Sequence, residues 1–119
     1  MTLHFTINYQ AQWGQQLAVL YAADADITTA SPVTLPMDCH GNSEWSAQVT
    51  LSDIHKYISY CYVVLDEQGN ILRRESMPHI LECQPGNIVL RDLWQDKSQS
   101  LFASKVFSQV LFAHRAPVA

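Results

Sequence analysis

A dense run of tyrosine and β-branched residues, followed by a turn and a second apolar run, constrains this chain most. Residues Tyr57–Val64 read Tyr-Ile-Ser-Tyr-Cys-Tyr-Val-Val, with three tyrosines and three β-branched residues in eight positions. Such side chains favour extended backbone because they pack well on a pleated surface. Asp66–Asn70 has the length of a hairpin loop, and Ile71–Glu75 returns as a shorter strand. This hairpin indicates an all-β sandwich and argues against a catalytic α/β sheet.

Further strand patterns recur along the chain at intervals of roughly ten residues, with turn residues between them. Leu3, Phe5, Ile7 and Tyr9 alternate with polar residues, which is typical of a strand with one buried face. The other strands are predicted at 17–21, 33–37, 45–51, 80–83 and 88–93, and Pro36 places the third of them at an edge or a bulge. The fold class predicted is an antiparallel, immunoglobulin-like β-sandwich of about seven or eight strands.

The C-terminal part of the chain has a different periodicity. Apolar residues from 101 to 112 form two adjacent rows four residues apart, which predicts a short helix. Ser100 is a suitable N-cap, and Pro117 would end the helix. We therefore expect a sandwich over residues 1–95 and, over 96–119, a linker whose apolar helix leads to a further domain.

Composition and charge exclude several classes of partner. The formal net charge is −4, and the seven lysines and arginines are scattered, so no basic patch is expected for nucleic acid or an anionic membrane. Cys39, Cys61 and Cys83 are odd in number and contain no Cys-x-x-Cys pair, which favours reduced thiols in a cytoplasmic protein. The N-terminus carries no signal-peptide pattern.

The sequence contains no recognisable catalytic or metal site. Its five histidines lack metal-ligand spacing, so neither a metal nor another cofactor is expected. The acidic pairs Asp24/Asp26 and Asp66/Glu67 have the character of solvated loop residues. A glycine-rich phosphate loop and a nucleophile elbow are also absent. We expect the isolated domain not to be an enzyme.

Four patches, in order along residues 3–94, resemble the starch-binding domains of carbohydrate-binding module family 20. They are Phe5-x-Ile-x-Tyr leading to Trp13-Gly14-Gln15, then Trp45-x-Ala-x-Val-x-Leu, then Tyr60-x-Tyr-Val-Val with Gly69 and Glu75, and finally Arg91-Asp92-Leu93-Trp94. The segment from Asp92 to Phe112 is similar to the one that follows such modules in large 4-α-glucanotransferases of the amylomaltase or disproportionating type. The resemblance implies an N-terminal module that binds α-1,4-glucan or maltooligosaccharides beside a downstream catalytic domain.

The resemblance also implies two sugar sites, and this chain departs from the pattern of the principal one. Where the family has a stacking tryptophan in a loop, residues 24–32 contain no aromatic residue. The family's lysine corresponds to Cys61, its second tryptophan to Arg74, and its asparagine falls near His79. Glu75 matches the family. Arg74, Glu75 and His79 therefore stay as candidate hydrogen-bonding residues of a site without an aromatic platform.

The family's second site pairs an aromatic residue near Trp13 with a tyrosine from the loop that corresponds to Cys39–Ser43. Trp13 fits the first half, and His40 is the one residue of that loop able to stack on a sugar. The sequence leaves two interpretations of Trp13 open, a sugar platform or a residue packed on the edge of the sandwich. Trp45 shares a strand face with Val49 and Leu51 and is predicted to lie in the core, and Trp94 is predicted to be structural.

Two functions therefore remain in competition at this stage. The first is a non-catalytic glucan-binding module with a degenerate principal site. The second is an interaction module that has lost sugar binding and packs on a neighbouring domain or a second copy. An exposed Trp13 in a polar surround would favour the first, and a buried Trp13 would favour the second.

Overall fold

Two facing β-sheets make up the part of the chain that the computed structural model describes, residues 1–28 and 31–95. The strands in chain order are β1 (Thr2–Asn8), β2 (Gln16–Ala23), β3 (Val33–Pro36), β4 (Asp38–Cys39), β5 (Glu44–Thr50), β6 (Tyr57–Leu65), β7 (Ile71–Arg74), β8 (His79–Glu82) and β9 (Asn87–Asp92). The predicted all-β sandwich is confirmed. No helix in the described ranges is long and apolar enough to span a membrane.

The first sheet has the strand order β4-β5-β1-β9. β1 and β5 pair antiparallel along their whole length, from Thr2 opposite Thr50 to Asn8 opposite Glu44. β1 and β9 pair in parallel, so this sheet is mixed and differs here from the antiparallel expectation. Parallel neighbours require a long connection between them, and here the whole second sheet lies in that connection.

The second sheet has β6 at its centre and the path β3-β2-β6-β7. β2 pairs with β6 from Gln16 opposite Leu65 to Ala23 opposite Ile58. The short strands β7 and β8 pair with the C-terminal and N-terminal parts of β6 respectively. Pro36 lies in the edge strand β3, as predicted, because an edge position needs no hydrogen bond from the missing N–H.

The core fills the space between the two sheets. The alternation in β1 buries Leu3, Phe5 and Ile7 completely or nearly so, against the alternate residues of β2 and β6. Trp45 is also buried, as predicted, and its indole Nε1–H donates a hydrogen bond of 3.0 Å to the carbonyl oxygen of Tyr9. This bond satisfies the polar atom of an otherwise apolar ring.

A second apolar cluster lies on the outward face of the second sheet. It consists of the directly opposed pairs Ala18–Val63 and Leu20–Cys61, together with Ile27. The backbone N–H of Ile27 donates to the Ser59 hydroxyl at 2.8 Å and holds the 24–28 segment over this face. β6 is therefore buried on both sides, which explains why its sequence is apolar without clear alternation.

The structure adds one strand to those predicted and extends another by two residues, and the other predicted bounds shift by one residue at most. The predicted turn at 39–43 begins one residue later, because Asp38 and Cys39 pair with Ser46 and Trp45 as an added ninth strand. β2 also extends to Ala23, two residues into the predicted loop. The predicted linker over 96–119 and its helix at 101–112 lie outside the described residues.

Candidate functional site

The loop between β1 and β2 presents Trp13 at one end of the sandwich. The Trp13 side chain is 99% exposed, so it is not packed on the sandwich edge. Gly14 follows it with a φ of 82°, a backbone conformation that residues with a Cβ rarely adopt. A Cβ at this position would also lie 2.6 Å from Oε1 of Glu67 in the β6–β7 loop. Gly14 therefore allows Trp13 to project while its loop packs against the neighbouring loop.

A groove of about 480 Å³ lies beside Trp13, between the β1–β2 loop and the segment that joins β4 to β5. We call it the Trp13 groove. One side is formed by Tyr9 and residues 11–15, and the other by Cys39, Gly41, Asn42 and Ser43, with Trp45 also in its lining. Aromatic rings therefore stand among amide and hydroxyl groups, which is the combination that binds and orients a sugar.

Tyr9 connects the two sides of the Trp13 groove. Its backbone N–H donates to the carbonyl oxygen of Ser43 at 2.8 Å, and its own carbonyl oxygen accepts from Trp45. Its hydroxyl accepts a hydrogen bond of 2.8 Å from Nη1 of Arg73 in β7. The sequence motifs did not point to Tyr9 as part of the site, although its position at the end of a strand, just before a polar loop, was the available signal.

His40 does not line the Trp13 groove, although the next three residues of its loop, Gly41, Asn42 and Ser43, do. It lines a separate groove on the outward face of the first sheet, together with His4 and Asp38. Its Nε2 lies 2.5 Å from the Ser46 hydroxyl oxygen. The structure therefore places His40 outside the Trp13 groove, and the aromatic residues in the lining besides Trp13 are Tyr9 and Trp45.

The positions that correspond to the principal sugar site surround a different cavity, of about 340 Å³, on the second sheet. Cys61, Arg74 and Glu75 lie in its lining with Ile27, Thr28, Ser76 and Pro78. No aromatic ring lines it among the described residues. Arg74 is exposed there, whereas Cys61 is buried, and burial raises the pKa of its thiol to about 11. We call this space the Arg74 cavity.

Glu75 and His79 point their polar groups into the fold. Glu75 is 4% exposed, and its carboxylate accepts hydrogen bonds from the backbone N–H of Tyr62 at 2.8 Å and of Gln95 at 2.6 Å. His79 is 7% exposed, and its Nε2 lies 3.0 Å from both carboxylate oxygens of Glu75. Of the three candidate residues of the principal site, Arg74 is thus the exposed one.

The Glu75–His79 pair belongs to a buried polar cluster that links the two sheets. Asp92 of β9 accepts hydrogen bonds from the hydroxyls of Tyr60 at 2.9 Å and Tyr62 at 2.6 Å. Its Oδ1 lies 3.9 Å from Nδ1 of His79, whose ring stacks on Tyr60. We call these five residues the buried carboxylate cluster.

Burial and charge act in opposite directions on the pKa values of this cluster. Burial raises the pKa of Glu75, although hydrogen bonds from His79 and from two backbone N–H groups oppose the rise. Burial alone would lower the pKa of His79, but the hydrogen bond to Glu75 and the charges of Asp92 and Glu75 outweigh it, so the pKa is raised. Burial and the Asp92 charge also raise the pKa values of Tyr60 and Tyr62.

The acidic, histidine and thiol groups of the described residues do not form a metal-binding group. Within residues 1–28 and 31–95, no group of three histidine, cysteine or acidic side chains has a geometry suited to a metal ion. Asp26 and Asp66 accept hydrogen bonds from backbone N–H groups of their own turns, which lower their pKa values. The pKa of Asp24 is lowered by its hydrogen bond with His55 and by those from the backbone N–H groups of Lys56 and Tyr57. Asp26 and Asp66 thus hold turns, whereas Asp24 joins the end of β2 to the start of β6.

The chain has a curated relative that it matches along most of its own length. It is 32% identical over 123 residues to 4-alpha-glucanotransferase DPE2 of Oryza sativa subsp. japonica. The match covers 94% of this chain, and the chain spans 13% of the length of that relative. No family model matches the chain.

Solved structures include one with the same fold. The Glycoside Hydrolase Family 15 Glucoamylase from Hypocrea jecorina superposes with a TM-score of 0.57 at 18% sequence identity. The match covers 80% of this chain and 17% of the glucoamylase chain. At this level of identity the similarity establishes the sandwich fold and does not extend to function.

Proposed function

We propose that this chain is a starch-binding module of carbohydrate-binding module family 20 within a 4-α-glucanotransferase. In this proposal it binds α-1,4-glucan or maltooligosaccharides through the Trp13 groove and holds them near a downstream catalytic domain. Similarity to a 4-alpha-glucanotransferase over 94% of the chain supports the parent enzyme, and the sandwich fold supports the family. The module itself carries no catalytic role.

The exposure of Trp13 is the observation that carries this proposal. An indole ring that is 99% exposed gains free energy when its flat face meets the apolar face of a glucose unit. Covering roughly 100 Å² of apolar surface contributes about 2.5 kcal/mol. The ordering of a flexible oligosaccharide and the loss of its translational freedom offset much of this gain. Hydrogen bonds from the amide and hydroxyl groups of the groove would add to the stacking contribution. We therefore expect weak binding, with a Kd on the order of 1 mM for a short oligosaccharide.

Weak binding is sufficient for a module that is tethered to an enzyme. A tether between the module and the catalytic domain gives a bound glucan an effective concentration in the millimolar range near that domain. A glucan has many equivalent binding positions along its length, so rapid release and rebinding keep the substrate close. A cytoplasmic maltooligosaccharide pool fits this role.

Titration of the purified protein with maltoheptaose and β-cyclodextrin tests the proposal. We expect saturable heat and a change in tryptophan fluorescence, and both should be lost in Trp13→Ala because the platform is removed. Ile54→Ala is the matched control, since Ile54 is 81% exposed and lies in the loop before β6, outside the lining of the Trp13 groove. An unchanged titration of Trp13→Ala, or no binding by the native protein at 10-fold the expected Kd, would refute the proposal.

A second function is favoured by a different observation. Ile71 and Leu72 of β7 and Ile80 of β8 are all exposed, and both strands lie along the same side of β6. Apolar side chains along one sheet edge suit packing on a neighbouring domain or on a second copy of the chain. Analytical ultracentrifugation compares the oligomeric state of the native protein with that of the double variant Ile71→Ser/Ile80→Ser. With the sugar titration beside it, this comparison separates an interaction module from a glucan-binding module.

A further inference from the structure

Arg73 of the second sheet contacts Tyr9, which belongs to the lining of the Trp13 groove. Arg73 lies in β7 next to Arg74, yet the two side chains serve different places, because successive residues of a strand point to opposite faces. Arg74 lines the Arg74 cavity, whereas Arg73 extends to Tyr9 and Trp94 at the end of the sandwich where the Trp13 groove lies.

Arg73 contacts both rings of an aromatic pair. The centre of its guanidinium lies 4.7 Å from the centroid of the Trp94 ring and 5.7 Å from that of the Tyr9 ring. The two rings are 4.8 Å apart with a tilt of 43° between their planes. A planar cation over two tilted rings is a cation–π arrangement, and the hydrogen bond to the Tyr9 hydroxyl adds direction to it. Together these contacts fix the rotation of the Tyr9 side chain.

Tyr9 is also the member of this cluster that lines the Trp13 groove. Its backbone is held by Ser43 and Trp45, so the remaining freedom of the residue is in its side chain. A glucan bound in the Trp13 groove would therefore lie beside Tyr9 as well as Trp13. The affinity of such a site depends on how much side-chain ordering occurs before the sugar arrives.

We propose that Arg73 is a positioning residue for glucan binding, which holds the Tyr9 side chain in place beside Trp13 in the lining of the Trp13 groove. The inference rests on the proposed function, since it assigns the components of that same site. It assigns to Tyr9 the second aromatic contact for which the sequence offered His40. Arg73 itself does not line the groove, so its effect on binding passes through Tyr9.

The test compares maltoheptaose affinity, measured by calorimetry, across a set of variants. We expect Arg73→Ala to raise the Kd about 5-fold, in line with the size of a partly exposed cation–π contact. Arg73→Lys should recover only part of the affinity, because an ammonium group lacks the planar fork that spans both rings. Arg91→Ala is the control, since Arg91 is an exposed arginine in β9 outside the groove lining.

A double-mutant comparison separates positioning from a general effect on folding. If Arg73 acts through Tyr9, Arg73→Ala should change the Kd no further when it is combined with Tyr9→Ala. Urea unfolding confirms that each variant is folded at the titration temperature. Equal Kd values for Arg73→Ala and the native protein, or a full 5-fold loss also in the Tyr9→Ala background, would overturn the inference while native binding persists. Absence of binding by the native protein would refute the proposed function, and with it this inference.

Discussion

At the scale of single residues, Trp13 and Trp45 show how one residue type takes opposite roles in this chain. Trp45 continues an alternating apolar pattern and is buried, whereas Trp13 stands among glutamines in a turn and is exposed. The alternation was sufficient to predict that Trp45 is buried. For Trp13 the sequence left burial on the sandwich edge open, because a loop residue can fold back or project depending on what lies beside it. Here the backbone of Gly14 packs closely against Glu67 of the β6–β7 loop, and Trp13 projects into solvent.

Glu75 is the residue whose environment was hardest to infer. It matches a sugar-binding position of the resembled family, and it follows four exposed strand residues. In the fold its carboxylate accepts hydrogen bonds from the backbone N–H groups of Tyr62 and Gln95, which come from distant parts of the chain. This gives Glu75 a structural function, and a sugar contact by the same residue stays a prediction.

Glu75→Gln should therefore lower stability. The amide NH2 of glutamine would face one of the two backbone donors, and a buried donor without an acceptor costs about 1–3 kcal/mol. Urea unfolding at pH 7 measures the free energy of unfolding, and Glu44→Gln at an exposed position is the control. A difference between Glu75→Gln and the native protein smaller than that of the control would contradict the structural role.

At the scale of strands, β6 was the best predicted element and also the most informative about the rest. Its density of tyrosine and valine indicated burial, and in the structure it pairs with β2, β7 and β8. The short strand β4 was not predicted, because two residues are too few to show a period of two. Its existence depends on pairing with β5, which the local sequence does not encode.

Cys39 in β4 and Cys61 in β6 should differ in their reactivity towards an alkylating reagent. Cys61 of β6 is buried with its pKa raised to about 11 by burial, whereas Cys39 of β4 is exposed. Because the thiolate is the reactive form and needs access to the reagent, Cys39 should be alkylated by iodoacetamide in the native protein. Cys61 should react only after unfolding. Mass spectrometry of peptides after brief labelling at pH 8, with and without urea, checks this order, and labelling of native Cys61 as fast as Cys39 would contradict it.

At the scale of the whole molecule, the buried carboxylate cluster joins the two sheets. Asp92 belongs to β9 of the first sheet, whereas His79 and both tyrosines belong to the second sheet. A charged group at this interface makes the packing of the sheets depend on protonation. The raised pKa of His79 means that the folded state binds this proton more tightly than the unfolded chain does.

The sign of the pH dependence follows from that difference. The stabilisation by protonated His79 is fully present below the unfolded histidine pKa of about 6.5 and is lost as pH rises through the raised folded value. The free energy of unfolding should thus be larger at pH 6 than at pH 8.5. In His79→Gln this part of the pH dependence should disappear, while His4→Gln, on the outward face of the first sheet, should retain it. Equal free energies of unfolding of the native protein at the two pH values would contradict a stabilising role of protonated His79.

The sequence by itself determined the all-β class, most strand positions and the burial of Trp45. These follow from local periodicity and turn residues, which act over a few neighbouring positions. Only the tertiary structure decided the parallel pairing of β1 with β9, the inward direction of Glu75 and His79, and the meeting of Tyr9 with Arg73 and Trp94. Each of these depends on which distant segments become neighbours, and that choice is made by the packing of the whole core rather than by any stretch of residues alone.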